Sequence, residues 1–541
     1  MSPSPIRPAP SGVLLRDLTT RIGAGTPVDG PDVVVTGVTL DSRAVLPGDL
    51  YAALPGFNAH GARFADQAVA AGAAAVLTDA DGRALLAGAE TSEPFEVPVV
   101  VVDDPRAVLG TVAAEVYGHP SEHLTTVGIT GTNGKTTTAY LVESALRAHG
   151  RRTGLIGTVE TRIGDDTVES ERTTPEATDL HALLAVMRER GVDACVMEVS
   201  SHALELHRVD GVVYDVALFT NLSQDHLDFH DSMDDYFAAK ASLFTPERSR
   251  AAVVCVDDDW GRRLAAEATV PTTTLATGPA GGTAAPAADW VVEAAGPSGH
   301  AGHSEAGAFT LREPATGAAL ALVSHLPGHF NVANTALAAL ALLRLGLGPH
   351  EVEAAMAVPP AVPGRMEVVA PGGPDGPRCV VDFAHTPDAV DAALAALRPS
   401  TAGRLIAVLG AGGDRDRGKR PGMGAAAARR ADVVVVTDDN PRSEEPAAIR
   451  AAVVAGAREA VAAGSAAATE IIDGGARPSA IAEAIALAVL GAGAGSPVDT
   501  VVVLGKGHEK GQEIHGVKHP FDDRDAVRAA LAAVTGAGVA P

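Results

Sequence analysis

Residues 125–150 read TTVGITGTNGKTTTAYLVESALRAHG, and the order of strand, glycine-rich turn and helix within them decides the fold. TTVGIT is a short β-branched run, and TTTAYLVESALRAHG carries helical spacing as far as Gly150, a helix stop. The turn between them sits at a helix N-terminus, where backbone N–H groups and the helix dipole cradle phosphate. Gly131 and Gly134 allow the backbone to turn its N–H groups inward, with Thr132 and Asn133 between them. Lys135 is placed to neutralise β- and γ-phosphates and the Thr136 hydroxyl to face Mg²⁺, with Thr137 beside it. Ile129 occupies the place of the first glycine in the strict GxxxxGK[ST] pattern, so a purely structural Gly/Thr/Asn turn is the competing reading. The flanking strand and helix favour a nucleotide.

Outward from this loop the chain repeats the same plan. DACVMEV (193–199) ends in Glu198, where strands of an open α/β sheet deliver ligand-binding residues, here an acid able to hold the metal that bridges ATP phosphates. MEVSSHAL crowds Ser200, Ser201 and His202 against it, and Arg208 follows. YDVALFT leads into NLSQDHLDFH (221–230), with Asp225, His226, Asp228 and His230 in one turn and Lys240 on the helix after it. Taken singly, each histidine reads as an ordinary hydrogen-bonded residue and Lys240 as a solvated helix lysine. Three later strands end in GAGGDRDRGKR, TDDNPRSE and LGKGHEK, loops that converge on one crevice.

These segments imply an α/β protein of three domains with mostly parallel sheets. Residues 1–12 read as a disordered tail, 13–120 as a small N-terminal α/β domain, 121–363 as a central nucleotide-binding domain, and 364–541 as a C-terminal Rossmann-like domain. The Gly/Ala/Pro/Ser-rich stretch 277–308 reads as a flexible insertion. The 541 residues carry a net charge of −25, a sign that repels phosphate backbones and argues against nucleic acid or an anionic membrane as partner. Cys195, Cys255 and Cys379 lie apart in apolar runs and read as buried, reduced thiols. The N-terminal residues lack an apolar signal region and no apolar run reaches the roughly 18 residues of a membrane span, so a cytoplasmic protein is expected.

GTNGKTTT, MEVSSHAL, NLSQDHLDFH…YFAAK, GHFNVAN, PGRMEV and VVDFAHTPDA occur in the order found in the Mur ligases, and the chain resembles that family over nearly its whole length. The resemblance implies an ATP-dependent ligase, acting as a monomer, that extends a UDP-linked peptidoglycan precursor. It assigns Thr136 and Glu198 to one Mg²⁺, and His226 with Lys240, carbamylated by CO₂, to a second. It places Asn334, Arg365 and Asp382 on ATP and His385 nearby among the catalytic residues with Lys135. TLDSRAVLPGDLYAALPGFNAHG (39–61) is similar to the UDP-sugar-binding segment of the tripeptide-forming branch, with Leu40, Ser42, Phe57, Asn58 and Ala59 at the ligand. Thr173, Thr174, Ser200 and Arg208 then hold the peptide part.

DNPR (439–442) resembles the diaminopimelate version of the acceptor motif, and lysine-adding relatives lack its arginine. Diaminopimelate carries a second carboxylate that a planar guanidinium matches with two parallel hydrogen bonds. Arg442 is the candidate, with Arg415 as neighbour and Asp439, Asn440 and Pro441 setting its place. Glu509 and the Gly505 carbonyl are expected to take the far ammonium. A lysine-adding sibling and a nucleotide-binding relative without catalysis are the alternatives; a folate ligase is disfavoured by the N-terminal domain and by DNPR.

Overall fold

The computed structural model describes residues 7–9, 12–23, 32–56, 58–87, 97–227, 229–278, 287–294, 307–373, 376–491 and 497–535. It falls into two compact units, one of residues 1–293, 311–320 and 336–358, the other of 294–310, 321–335 and 359–541.

The first unit opens with a parallel sheet of β1 (Gly37–Thr39), β2 (Asp49–Ala52), β3 (Ala75–Thr78) and β4 (Val99–Val101), in that order. Helix α1 (Pro105–Val116) starts on an Asp104 cap and buries Leu109, Val112 and Val116 against this sheet. Of the expected tail 1–12, residues 1–6, 10 and 11 lie outside the described residues, and Arg7 has partners. Arg7 donates to Asp49 at 3.0 Å, to the Tyr117 hydroxyl at 3.3 Å and to the Ala44 carbonyl at 3.2 Å. A buried acid on β2 supplies a partner that composition alone does not reveal.

The central sheet follows. Among its strands are β5 (Thr125–Thr130), β6 (Thr153–Ile156), β7 (Glu160–Ile163), β8 (Asp166–Glu169), β9 (Ala194–Glu198), β10 (Val216–Phe219), β11 (Ala252–Cys255), β12 (Thr272–Ala276) and β13 (Trp290–Ala294). They run in the order β8-β7-β6-β9-β5-β10-β11-β12-β13. The core strands are parallel, and β7 and β8 turn back antiparallel at one edge. Strands β5 and β9 lie side by side, so the phosphate-type loop after Thr130 and the acid Glu198 emerge together. Helix α2 (Lys135–Ala148) is capped by Gly134, starts one residue ahead of the predicted Thr136 and ends before Gly150.

The reading of 277–308 as a flexible insertion needs correction. Trp290 and Val291 pair in parallel with Leu275 and Ala276, and the Asp289 carboxylate accepts from Thr274 N and Oγ1, both at 2.8 Å. A five-residue strand rich in valine outweighs its Gly/Ala surroundings here. Residues 279–286 and 295–306 of that stretch lie outside the described residues.

The second unit carries a sheet of β14 (Glu367–Gly373), β15 (Gly376–Asp382), β16 (Leu405–Leu409), β17 (Val433–Thr437), β18 (Glu470–Gly475) and β19 (Thr500–Leu504), ordered β14-β15-β19-β16-β17-β18. All neighbours are parallel except β14 and β15. Val380, Ala407, Val434 and Val502 pack on one face and Val381, Val408, Val435 and Val503 on the other. Burial on both faces explains the unbroken valine runs. Cys195, Cys255 and Cys379 are buried free thiols.

Helices α3 (Arg477–Gly491) and α4 (Asp523–Thr535) are tied by the Arg477–Asp523 pair, with two hydrogen bonds of 2.7 Å between side chains that are both 0% exposed. Removing one partner leaves the other charge buried and unpaired. Arg477→Leu is therefore expected to cost about 3–5 kcal/mol of stability in this unit, read by chemical denaturation. A loss below about 1 kcal/mol would contradict the assignment of this pair as the fastening between the two helices.

Candidate active site

Gly131 and Gly134 adopt φ of 144° and 91°, backbone that glycine alone takes without strain. A Cβ at Gly131 would stand 1.9 Å from Thr220 Oγ1, so the turn also needs glycine for close approach to the end of β10. The loop is fastened from that side. Thr132 N donates to the Asn221 carbonyl at 2.9 Å, Asn133 N to Asn221 Oδ1 at 3.0 Å, and Thr220 Oγ1 to the Asn133 carbonyl at 2.6 Å. Ser223 N donates to Thr132 Oγ1 at 3.0 Å, and the Tyr236 hydroxyl lies 3.2 Å from the same oxygen. Lys135 Nζ folds back over the loop, donating to the Gly131 and Thr132 carbonyls at 2.9 Å each.

Glu198 is 1% exposed and held from three directions. Thr136 Oγ1 donates to Oε2 at 2.9 Å, Thr158 N to Oε1 at 2.8 Å, and Thr158 Oγ1 to Oε2 at 3.1 Å. Gly157 gives the carboxylate room, because a Cβ there would meet Oε1 at 2.5 Å. Thr136 and Glu198, which the resemblance assigns to one Mg²⁺, are thus brought together. Thr137 is buried in the first turn of α2. Thr173 Oγ1 touches Thr158 Oγ1 at 3.0 Å, and Thr174 Oγ1 donates to the Glu198 carbonyl at 2.9 Å. Ser200 spends its hydroxyl as a helix cap on Ala203 N, and its own N–H donates to Thr174 Oγ1. Arg208 pairs with Glu176 at 2.9 Å.

Lys240, on the helix Met233–Ala241, is not the solvated lysine its sequence position suggests. It is 1% exposed, its Nζ donates to the Gly131 carbonyl at 3.0 Å, and it lies 4.6 Å from the Tyr236 ring centre. Desolvation, then the like charge of Lys135, drives its amine pKa well below the ordinary lysine value. His226, at φ 55°, keeps 44% of its side chain open beside Asp225. Desolvation and the charges of Lys135, His202 and Lys240, opposed by Asp225, hold its imidazole toward the neutral form. Asp228 lies outside the described residues.

In the N-terminal sheet region, Ser42 is buried and gives its hydroxyl to Gln67 Oε1 at 3.1 Å. Leu40 is half-buried, and Asn58 and Ala59 are exposed; Phe57 lies outside the described residues.

In the second unit, Asn334 is buried and donates to Asn331 Oδ1 at 3.1 Å. Asp382 accepts from Met366 N at 2.7 Å and Ala384 N at 2.8 Å, and desolvation raises its carboxyl pKa against the pull of Arg365. Arg365 lies over the Phe383 ring at 4.3 Å. His385 Nδ1 is 3.0 Å from the Phe383 carbonyl, which makes Nε2 its basic nitrogen.

The loops after β16, β17 and β19 do meet. Arg442 sits at φ 51°, its N–H on the Glu513 carbonyl at 3.0 Å, its Nη1 on the Gly413 carbonyl at 2.6 Å and its Nε 3.3 Å from Glu513 Oε2. Its side chain is 24% exposed, so it is not in bulk solvent. Arg415 is exposed on the neighbouring loop. Asn440 Nδ2 donates to Glu509 Oε2 at 2.9 Å, and Gly505, at φ 113°, packs close to Asp439. Thr158, Asn221, Tyr236, Lys506 and Glu513 were not singled out by the sequence; Asn221, Tyr236 and Lys506 stand inside quoted motifs, but each of the five acts through a partner distant in the chain.

Family models match three consecutive stretches: "Mur ligase family, catalytic domain" over 34–117, "Mur ligase middle domain" over 129–343, and "Mur ligase, glutamate ligase domain" over 364–507. The chain belongs to the Mur ligase family. This Mur ligase is 52% identical over 98% of both chains to a protein of Streptomyces coelicolor named UDP-N-acetylmuramoyl-L-alanyl-D-glutamate–2,6-diaminopimelate ligase. It is 48% identical, over 92% of both chains, to one of the same name from Corynebacterium glutamicum. A solved structure of that name shares 30% identity and a TM-score of 0.63, covering 97% of this chain and 99% of that one. A MurF ligase from Thermotoga maritima in complex with ADP shares the fold at 19% identity and a TM-score of 0.57, covering 93% of this chain and 98% of that one. The Mur ligase is accordingly an ATP-dependent ligase of three-domain α/β architecture.

Proposed function

We propose that this Mur ligase joins 2,6-diaminopimelate to the D-glutamate γ-carboxylate of UDP-N-acetylmuramoyl-L-alanyl-D-glutamate, in the cytoplasm and as a monomer. The observation that carries the reading is the full-length similarity to ligases so named, and DNPR, on a loop that meets the loops after β16 and β19, supports it. The γ-carboxylate attacks the γ-phosphorus of ATP, ADP leaves, and an acyl phosphate forms. The amine of diaminopimelate then attacks the acyl carbon, phosphate leaves, and the amine proton passes to a base such as His385 Nε2.

Residues 131–137 take the phosphates, with Lys135 offsetting their charge. Asn334, Arg365 and Asp382 take the rest of ATP. Leu40, Ser42, Phe57, Asn58 and Ala59 line the uridine end, and Thr173, Thr174, Ser200 and Arg208 hold the peptide. For Ser42, uridine binding requires its hydroxyl to leave or share Gln67. Domain limits at 13–120, 121–363 and 364–541 enclose the three matched stretches.

The donor chemistry fits Mg²⁺. The Thr136 hydroxyl and the Glu198 carboxylate are hard oxygens 2.9 Å apart beside the loop, the few protein ligands Mg²⁺ needs when phosphates and water complete its shell. A neutral His226 is able to ligate, whereas Lys240 fits only once CO₂ has converted its amine to a carbamate. When bound, Mg²⁺ supplies charge neutralisation on the transferring phosphoryl group.

The test is phosphate release with ATP and the UDP-dipeptide in the presence of meso-diaminopimelate, the LL isomer or lysine. Release with a diaminopimelate isomer at least about 10³-fold more efficient than with lysine is expected. Release with lysine alone would assign the lysine-adding activity instead, and no release with any acceptor would favour the binding relative.

A further inference from the structure

The loop 505–510 buries a cation to which the reaction as described gives no part. Lys506 is 0% exposed, a costly place for an ammonium unless its donors are met. Its Nζ donates to Asn440 Oδ1 and to Glu509 Oε2, each at 2.9 Å, and stands 4.0 Å from Asp439 Oδ1.

An ammonium has donors only, which fixes what faces it. Asn440 Oδ1 must point to Lys506 Nζ and to the Glu513 N–H, 3.0 Å away, and Asn440 Nδ2 is thereby turned onto Glu509 Oε2 at 2.9 Å. Glu509 Oε2 accepts from two donors, while Oε1 accepts from none among the described residues. The Glu509 side chain is 36% exposed, so the unspent oxygen belongs to its open end. Around Lys506 the charges count two cations, Lys506 and Arg477, against three anions, Asp439, Glu509 and Asp523. One negative charge is left over, the complement of a single ammonium.

We propose that Lys506 is a positioning residue for the amino-acid acceptor. It locks the Asn440 amide, occupies one oxygen of Glu509 and leaves the other to receive the acceptor's far ammonium, with the pocket charge balanced for one such group. This deepens the reading of the crevice as the acceptor site and rests on it.

The test uses the full-length enzyme and a double-substitution cycle of Lys506→Met and Glu509→Gln. Phosphate release is measured against each of the three substrates, with whichever of diaminopimelate or lysine the unsubstituted enzyme prefers as acceptor. Lys506→Met is expected to raise the acceptor KM about 10- to 100-fold, leaving KM for ATP and the UDP-dipeptide within about twofold. The double variant should fall well short of the product of the two single effects, because Lys506 acts through Glu509. Multiplicative effects, or a loss that moves all three KM values and kcat together, would overturn the proposal. Should Lys506→Met fail to fold, the same cycle with Lys506→Arg decides: it keeps the charge, misplaces the donors, and is expected to show a smaller rise confined to the acceptor. A preference for lysine in the unsubstituted enzyme would refute the diaminopimelate reading alone, since the cycle is run on the preferred acceptor.

Discussion

Lys240→Ala is expected to lower turnover about 10³-fold, roughly 4 kcal/mol of barrier, while the protein stays folded. The reasoning begins with burial. An amine 1% exposed, 3.0 Å from the Gly131 carbonyl and repelled by the charge of Lys135, is driven toward its neutral form. Under the proposed carbamylation the neutral amine attacks CO₂; the new N–C bond forms, a proton leaves to solvent, and an anionic carbamate takes the place of the neutral amine. That negative charge beside the phosphate loop is what the proposal requires and what alanine removes. Short carboxylates added to Lys240→Ala should restore part of the turnover by occupying the vacated space. Lys240→Ala retaining more than a tenth of normal turnover would remove Lys240 from the chemistry. A relative that merely binds nucleotide would show no dependence on the residue or on added carboxylate.

The legible parts of this protein are those set by neighbours in the chain. Strand, turn and helix at 125–150 are local, so the position of Gly131 and Gly134, and the start of α2 to within one residue, follow from residue spacing. Loops at strand C-termini are equally local, and those carrying Arg442, Glu509 and Gly505 converge as expected. What escaped depends on distant partners. Arg7 reads as tail because Asp49 lies 42 residues away, and the five-residue strand Trp290–Ala294 is hidden by the small residues around it. Lys506 shows no sign of its burial until Asn440, 66 positions earlier, is seen against it. A lysine or arginine declares nothing in sequence about burial; Lys240, Arg477 and Lys506 are all buried. Only the family resemblance singled out the first of them, and nothing singled out the other two.

Arg442→Ala is expected to collapse acceptor selection, with kcat/KM for diaminopimelate falling by about 10²- to 10³-fold while that for lysine rises or holds. Selection built on pairing a buried polar group is strong because the wrong ligand leaves that group unpaired, a penalty that reaches about 10⁴-fold. Arg442 is prepared for this. Its left-handed backbone, φ 51°, is held by the Glu513 carbonyl, and its Nη1 is anchored on the Gly413 carbonyl at 2.6 Å. Its Nη2 makes no hydrogen bond among the described residues, and on the proposed reading it is the donor left for the second carboxylate. Alanine keeps a Cβ at the same backbone angle, so the substitution removes the guanidinium without altering the strain. Arg442→Lys should rescue little, because a point charge cannot reproduce the two parallel hydrogen bonds. Competition between diaminopimelate and lysine in one reaction gives the ratio directly. Should Arg442→Ala keep the diaminopimelate preference of the unsubstituted enzyme, recognition of the second carboxylate must lie elsewhere, and DNPR would be only the turn its four residues resemble.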